Sequence, residues 1–232
     1  MIIWKTKWIP IKEDKNRNYV LCKRVSFTGA RGEDVFFLWI DRINCIESMS
    51  PASDELYLNL VNRELNANDI RELMALFLRY KINTQELERF KTRNNVAGFE
   101  PLEKRQFDIV TFELEPLKVH KKTTKLLFKP PKFYSEFDRD IFFEWIQGIP
   151  AVARCAELDG KVCLYFKSKK IAYGHLLEIT ALFRRYKLPN AWQLQVFVNK
   201  NNQSMYASGG AYWTNMVFGT KVNPKILKDL AV

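Results

Sequence analysis

Asp34-Val-Phe-Phe-Leu-Trp-Ile-Asp-Arg-Ile43 returns 106 residues later as Asp140-Ile-Phe-Phe-Glu-Trp-Ile-Gln-Gly-Ile149. A second segment, Ala75-Leu-Phe-Leu-Arg-Tyr-Lys81, returns at the same offset as Ala181-Leu-Phe-Arg-Arg-Tyr-Lys187. A constant offset across two motifs indicates two copies of one structural unit. We therefore expect copy one in residues 1–107 and copy two, with a C-terminal extension, in residues 108–232.

The repeated segments have the spacing of helix faces. From Phe36 to Ile43 the apolar residues fall at positions i, i+3, i+4 and i+7, as they do from Phe142 to Ile149. The Leu-Phe-x-Arg-Tyr segments continue a second run of this kind in each copy. The spacing predicts two amphipathic helices per copy. Asn68 or Asp69 is expected to cap the second helix of copy one.

Strand-like segments surround these helices because β-branched and aromatic residues dominate them. The segments that open the copies are 2–11, 19–23, 108–119 and 125–129. Asp159-Gly160 favours a hairpin between strands at 151–157 and 161–167. Shorter helices are expected near 84–93 and 190–199. The predicted fold is α+β: two tandem copies of a β-β-α-β-β-α-α unit, each with an antiparallel sheet and helices on one face, packed as an internal pseudo-dimer in a monomer.

Composition places the chain among folded proteins of the cytoplasm. Apolar residues make up 47% and charged residues 27%, as in soluble globular domains. No stretch reaches the ~18 apolar residues of a membrane span, and the first residues lack the features of a signal peptide. We expect no membrane partner. The four cysteines form no C-x-x-C pair, which favours buried reduced thiols, with a Cys155–Cys163 disulfide as the alternative.

The net charge of +11 is concentrated in copy two. Residues 1–107 hold 18 basic and 15 acidic side chains, whereas residues 108–232 hold 19 and 11. Such a field attracts nucleic acid, anionic lipid or an acidic protein without choosing among them. The candidate partner-binding residues are Lys118, Lys121, Lys122, Lys125, Arg184, Arg185, Tyr212 and Trp213. For the lysines, the alternative is a solvated hairpin that guards a sheet edge.

Signatures of catalysis are scarce. The two histidines, His120 and His175, stand apart from any ligand or nucleophile motif. The sequence contains no H-x-x-x-H pair, no G-x-x-x-x-G-K-S/T phosphate loop and no G-x-S-x-G segment. We therefore expect no enzyme, no metal site and no cofactor. An enzyme that uses His120 or His175 is the weaker alternative.

The segment 176–219 resembles a known class of bacterial proteins. It reads Ile179-x-x-Leu-Phe-x-Arg-Tyr-x-Leu188, then Gln193-Leu-x-x-Phe197, Asn201-Asn202, Ala211-Tyr-Trp213 and Val217-Phe-Gly219. This pattern is similar to immunity proteins of contact-dependent growth inhibition and other polymorphic-toxin systems. Copy one keeps Leu-Phe-x-Arg-Tyr and Asn94-Asn95 but lacks the last two elements.

The resemblance implies a protein that binds and neutralises a cognate bacterial toxin by direct contact. Such a function requires no catalytic group and no export. One feature departs from the class, because many immunity partners of nuclease toxins are acidic and this chain is basic. A basic nucleic-acid-binding or regulatory protein is the alternative.

Overall fold

The computed structural model describes residues 7–8, 18–23, 25, 27, 30–52, 55–62, 64–114, 124–197 and 217. The fold is α+β, with two four-stranded sheets and their helices. The chain divides into two compact units. Unit 1 holds Met1–Arg105 and Phe133–Ile141, and unit 2 holds Gln106–Lys132 and Phe142–Val232. The units thus differ from the expected copies in two respects: residues 133–141 belong to unit 1, and residues 106–107 belong to unit 2.

The sheet of unit 1 has the strand order β1-β3-β4-β2. Its strands are β1 (Lys7–Trp8), β2 (Tyr19–Lys23), β3 (Ile46–Ala52) and β4 (Glu55–Leu60). Its helices are α1 (Ala30–Arg42), α2 (Ala67–Tyr80), the single turn α3 (Gln85–Glu88) and a 3-10 helix, Val96–Phe99. Strands β2, β3 and β4 are antiparallel, whereas β1 runs parallel to β3. The expectation of a wholly antiparallel sheet is therefore wrong for β1.

The sheet of unit 2 has the order β5-β7-β8-β6 and is antiparallel throughout. Its strands are β5 (Phe112–Glu113), β6 (Lys125–Phe128), β7 (Val152–Leu158) and β8 (Lys161–Phe166). The helices of copy two are α4 (Glu136–Gln147), α5 (Tyr173–Arg185) and a 3-10 helix, Ala191–Phe197. At the offset of 106 the central registers coincide: Tyr19 pairs with Asn59 as Lys125 pairs with Tyr165.

The hairpin, the short helices and the cap of α2 show where the sequence pattern predicted the local structure and where it did not. The hairpin at Asp159-Gly160 is present, with positive φ angles of 51° and 67°. The short helix expected near 84–93 is one turn, and the one near 190–199 is a 3-10 helix. The expected cap of α2 was placed too late. Asn66 is the cap: its side chain accepts from the Asp69 N–H, and the Asp69 carboxylate accepts from the Asn66 N–H.

Helices cover one face of each sheet. In β4, side chains alternate between half-buried and buried, as a sheet covered on one side requires. In unit 2 the buried rings define the covered face, because Phe128 meets Phe183 of α5 at 5.2 Å and Phe166 meets Phe197 at 4.7 Å between centroids. Lys125 and Leu127 point to the opposite face, since they alternate with Leu126 and Phe128.

A buried ion pair completes unit 1. The Arg79 guanidinium, at the end of α2, forms a two-pronged pair with the Asp138 carboxylate, and one prong joins Nε to Oδ1 at 2.9 Å. Asp138 also accepts from the Tyr134 N–H at 2.9 Å. The side chains of Arg79 and Asp138 are 3% and 0% exposed. Buried charges persist only when they are paired, so the inclusion of residues 133–141 in unit 1 has a clear electrostatic reason.

No helix in the described ranges is long and apolar enough to cross a membrane.

Candidate functional site

The face of the unit 2 sheet opposite to Phe128 and Phe166 gathers cations around a tyrosine. In register across the strands stand Glu113, Arg154, Tyr165 and Lys125. Directly opposed residues of an antiparallel pair share a face. Lys161 lies on the same face, four residues before Tyr165 on β8. We call the surface formed by Lys125, Arg154, Lys161 and Tyr165 the cationic face.

Arg154 reaches this face because β7 contains a bulge. Val152 pairs with Phe166, yet Arg154 pairs with Tyr165, so two residues of β7 oppose one residue of β8. Simple alternation would place Arg154 beside the buried Val152. A bulge shifts the side chains that follow it to the other face. Arg154 is accordingly exposed, and its guanidinium carbon lies 5.6 Å from the centroid of the Tyr165 ring.

Tyr165 stays neutral at physiological pH. Hydrogen bonding to Cys163, two residues earlier on the same face, raises the pKa of its hydroxyl, and burial adds to this. The nearby Arg154 charge acts in the opposite direction. Burial likewise raises the pKa of the Cys163 thiol, so this sulfur is a neutral neighbour and not a nucleophile. The charge of the face is therefore carried by Arg154, Lys125 and Lys161.

The equivalent face of unit 1 is different. At the offset of 106, Ser48, Asn59 and Tyr19 stand where unit 2 has Arg154, Tyr165 and Lys125. The Asn59 amide donates to Ser48 at 2.9 Å and to Ser50 at 3.0 Å. Both serines are only 2% exposed. These polar side chains therefore form hydrogen bonds to one another within the unit 1 sheet.

The structure places three of the eight predicted partner-binding residues. Lys125 lies on the cationic face. Arg184 is exposed and Arg185 half-buried in the last turn of α5, the helix that packs against the other side of the sheet. The described geometry therefore does not bring the two arginines together with Lys125. Lys118, Lys121, Lys122, Tyr212 and Trp213 lie outside the described residues.

The sequence analysis did not predict three members of the cationic face, Arg154, Lys161 and Tyr165. Tyr165 and Lys161 alternate with the buried Val162, Leu164 and Phe166, so the period of β8 was a signal that could have found them. Arg154 had no such signal, because the bulge that exposes it is a tertiary feature.

The other chemical groups do not assemble a reaction centre in the described part of the chain. His175 lies half-buried in the first turn of α5, and His120 falls outside the described residues. Within those residues no three His, Cys, Asp or Glu side chains cluster as metal ligands do. The four cysteines are buried free thiols, and burial raises the pKa of Cys45 and Cys155 to about 12.

A small cavity of about 170 Å³ lies at the start of α2. It is lined in part by Cys45, Asn66 and Asp69. Asn66 and Asp69 already bond to each other's backbone as the cap of the helix. These two polar residues of the cavity therefore have a structural role as the helix cap.

The described motif residues that carry the family resemblance also have structural roles. Leu182 and Phe183 are buried in the core, and the ring of Tyr186 meets Phe142 at 4.6 Å. In copy one, Asn95 is buried and donates to the Leu65 and Phe90 carbonyls at 2.8 Å each. These positions therefore contribute to the packing and hydrogen bonding of the fold.

Comparison with protein families, with curated proteins and with solved structures finds no match to this chain.

Proposed function

We propose that this chain is an immunity protein, which binds a cognate bacterial toxin directly and neutralises it in the cytoplasm. The observation that carries the proposal is the pairing of two features in copy two. One is the motif similar to immunity proteins, whose described residues build the core. The other is the cationic face, which offers an exposed arginine and two lysines beside a tyrosine on a sheet surface.

The chemistry of this face supports binding more than catalysis. Arginine and tyrosine are enriched among the residues that dominate protein interfaces, because they combine apolar area with hydrogen-bond donors. A sheet supplies a rigid base, so little side-chain and backbone freedom is lost when a partner binds. The thiol nearest to this tyrosine is neutral, since the pKa of Cys163 is raised.

The architecture fits the same proposal. We take the two units to descend from tandem copies that pack as an internal pseudo-dimer within a monomer. Matching strand orders and central registers at an offset of 106 support this descent. In such a protein one copy is free to change its surface while the other maintains the scaffold. The remaining predicted contacts, Lys118, Lys121, Lys122, Arg184, Arg185, Tyr212 and Trp213, belong to the proposal as further binding residues of copy two.

Co-expression with the product of the neighbouring gene tests this function. The protein is expected to co-purify with that product and to restore growth of cells that express it. A triple variant, Lys125→Gln, Arg154→Gln and Lys161→Gln, is expected to lose both properties. Lys169→Gln, which removes an exposed charge outside the face, is the matched control. Absence of both co-purification and growth rescue for the unaltered protein would contradict the proposal.

A nucleic-acid-binding protein is the second candidate, favoured by the excess of basic residues in copy two. Phosphate contacts release counterions, so their affinity falls steeply as salt rises. A salt titration of binding to duplex DNA and to single-stranded RNA separates the candidates. A steep slope that the triple variant reduces would favour nucleic acid, and weak binding with a flat slope would exclude it.

A further inference from the structure

The cationic face contains an arginine whose position is set before any partner arrives. Arg154 lies 5.6 Å from the centroid of Tyr165, within the range of a cation–π contact. A guanidinium stacked on a ring keeps its in-plane N–H donors for a carboxylate or phosphate. The contact therefore lowers the entropic cost of ordering Arg154 when an anion binds.

Lys125 and Lys161 extend the positive charge on the same face. Lys125 is the register partner of Tyr165 on the side opposite to Arg154, and Lys161 lies four residues before Tyr165 on β8. Glu113 is the register partner of Arg154 on β5 and is the one carboxylate in this row of described strand residues. Three cations against one carboxylate leave the face with net positive charge, so it complements an anionic surface.

The tyrosine decides between two kinds of anion. Single-stranded nucleic acid binds to open aromatic rings on which bases stack. In this face the guanidinium of Arg154 already lies over the Tyr165 ring. The geometry suits a carboxylate that meets the arginine in its plane better than a base that must displace it.

From these contacts we infer that the cationic face docks an acidic segment of a protein partner, whose carboxylates pair with Arg154, Lys125 and Lys161. The inference rests on the proposed function and deepens it, because it names the chemistry of the toxin surface that the face recognises. It also accounts for the basic character of the chain, since a partner with an acidic contact segment requires a basic counterpart.

Fluorescence anisotropy with a labelled oligoglutamate peptide tests this inference on the full-length protein. Arg154→Gln is expected to weaken binding about tenfold, because a charge-assisted pair is lost. Lys169→Gln removes the same charge elsewhere in unit 2 and is expected to change affinity less than about twofold. Glu113→Gln is expected to tighten binding, because it removes the competing carboxylate.

Substitutions of Tyr165 provide a second test in the same binding assay. Tyr165→Phe keeps the ring under Arg154 and is expected to retain binding. Tyr165→Leu removes the ring and is expected to weaken binding several-fold, because the cation–π contact that orders Arg154 is lost. Equal weakening by Lys169→Gln and Arg154→Gln would overturn the inference, because it would mean that only net charge matters. Absence of oligoglutamate binding would overturn it as well.

A labelled oligothymidylate is the comparison probe. Tighter binding of this probe, with the same dependence on Arg154, would show that the face is a nucleic-acid surface and would overturn the inference. The peptide assay contains no toxin, so its failure leaves the proposed function standing. Growth rescue by the Arg154→Gln variant at the level of the unaltered protein would also remove this face from the toxin contact while leaving neutralisation itself intact.

Discussion

The sheet faces that carry Asn59 in unit 1 and Tyr165 in unit 2 share a register but differ in their side-chain chemistry. In unit 1, Asn59 donates hydrogen bonds to Ser48 and Ser50, and Tyr57 donates to Glu55 at 2.9 Å. In unit 2, the residues at the positions of Ser48, Asn59 and Glu55 are Arg154, Tyr165 and Lys161. In unit 1 the polar strand residues bond to one another and the nearby cation, Arg89, follows α3 and lies 5.3 Å from the centroid of the Tyr19 ring, whereas in unit 2 the strands themselves supply three cations. The difference shows that sheets with the same strand order and central register can carry different side-chain chemistry on the same face.

The largest expected difference between the two units is in the unfolding free energy that Arg79 and Arg185 contribute. Arg185 stands 106 residues after Arg79 in the sequence. Arg79→Ala would leave Asp138 buried without its counter-ion, which is expected to cost about 3–5 kcal/mol of unfolding free energy. Arg185 is half-buried, so Arg185→Ala is expected to cost about 1 kcal/mol or less. Urea unfolding followed by circular dichroism measures both. Equal losses for the two variants would break the comparison between the units.

A smaller loss of unfolding free energy is expected for substitutions on the two sheet faces. Asn59→Ala removes the two hydrogen bonds that the Asn59 amide donates to the buried hydroxyls of Ser48 and Ser50. This substitution is expected to cost about 1–3 kcal/mol of unfolding free energy. Arg154→Gln removes a partly solvated cation–π contact and is expected to cost under about 1 kcal/mol. The same unfolding experiment compares them. A greater loss for Arg154→Gln would mean that the cationic face holds the fold together and is not reserved for binding.

The smallest effect concerns the pH dependence of unit 1. Burial raises the pKa of Glu72 above its usual 4.5, and the nearby Asp138 charge adds to this, although hydrogen bonding from Ser135 and the neighbouring Trp39 indole act against it. The folded protein therefore keeps this proton at pH values where the unfolded chain has lost it. The stabilisation is complete below pH 4.5 and disappears as pH rises through the raised pKa.

Glu72→Gln is expected to remove this part of the pH dependence and to change stability at neutral pH by under about 1 kcal/mol, because the side chain is only half-buried. The midpoint of urea unfolding, measured from pH 4 upward, reports the effect. An unaltered slope in the variant would mean that other carboxyl groups govern the dependence, with Asp69, whose pKa is also raised by burial, as the next one to replace.

The sequence predicted the parts of the fold that depend on local pattern. Helical spacing located α1, α2, α4 and α5, and Asp159-Gly160 located the β7–β8 hairpin. The parallel pairing of β1 was missed, because the direction of a strand depends on where the connection returns and not on the residues of the strand. Composition alone also did not reveal that the segments near 84–93 and 190–199 form only one turn and a 3-10 helix.

The candidate site was predicted less well than the fold. Lys125 was predicted as a binding residue from charge, and that prediction stays untested, while the face of β8 was readable from alternation. Arg154 was not predictable, since a bulge decides its direction. The pairing of Arg79 with Asp138 was equally hidden, because 59 positions of chain separate two residues that meet only after folding.

The placement of residues 133–141 in unit 1 bears on the history of the proposed duplication. A newly duplicated gene encodes two copies that each fold without the other. Here the guanidinium of Arg79, in copy one, pairs with the carboxylate of Asp138, in copy two. A chain that ended at residue 107 would lack Asp138 and would leave the buried Arg79 guanidinium without this counter-ion. The ion pair thus makes the fold of unit 1 depend on residues that lie beyond residue 107 in the sequence.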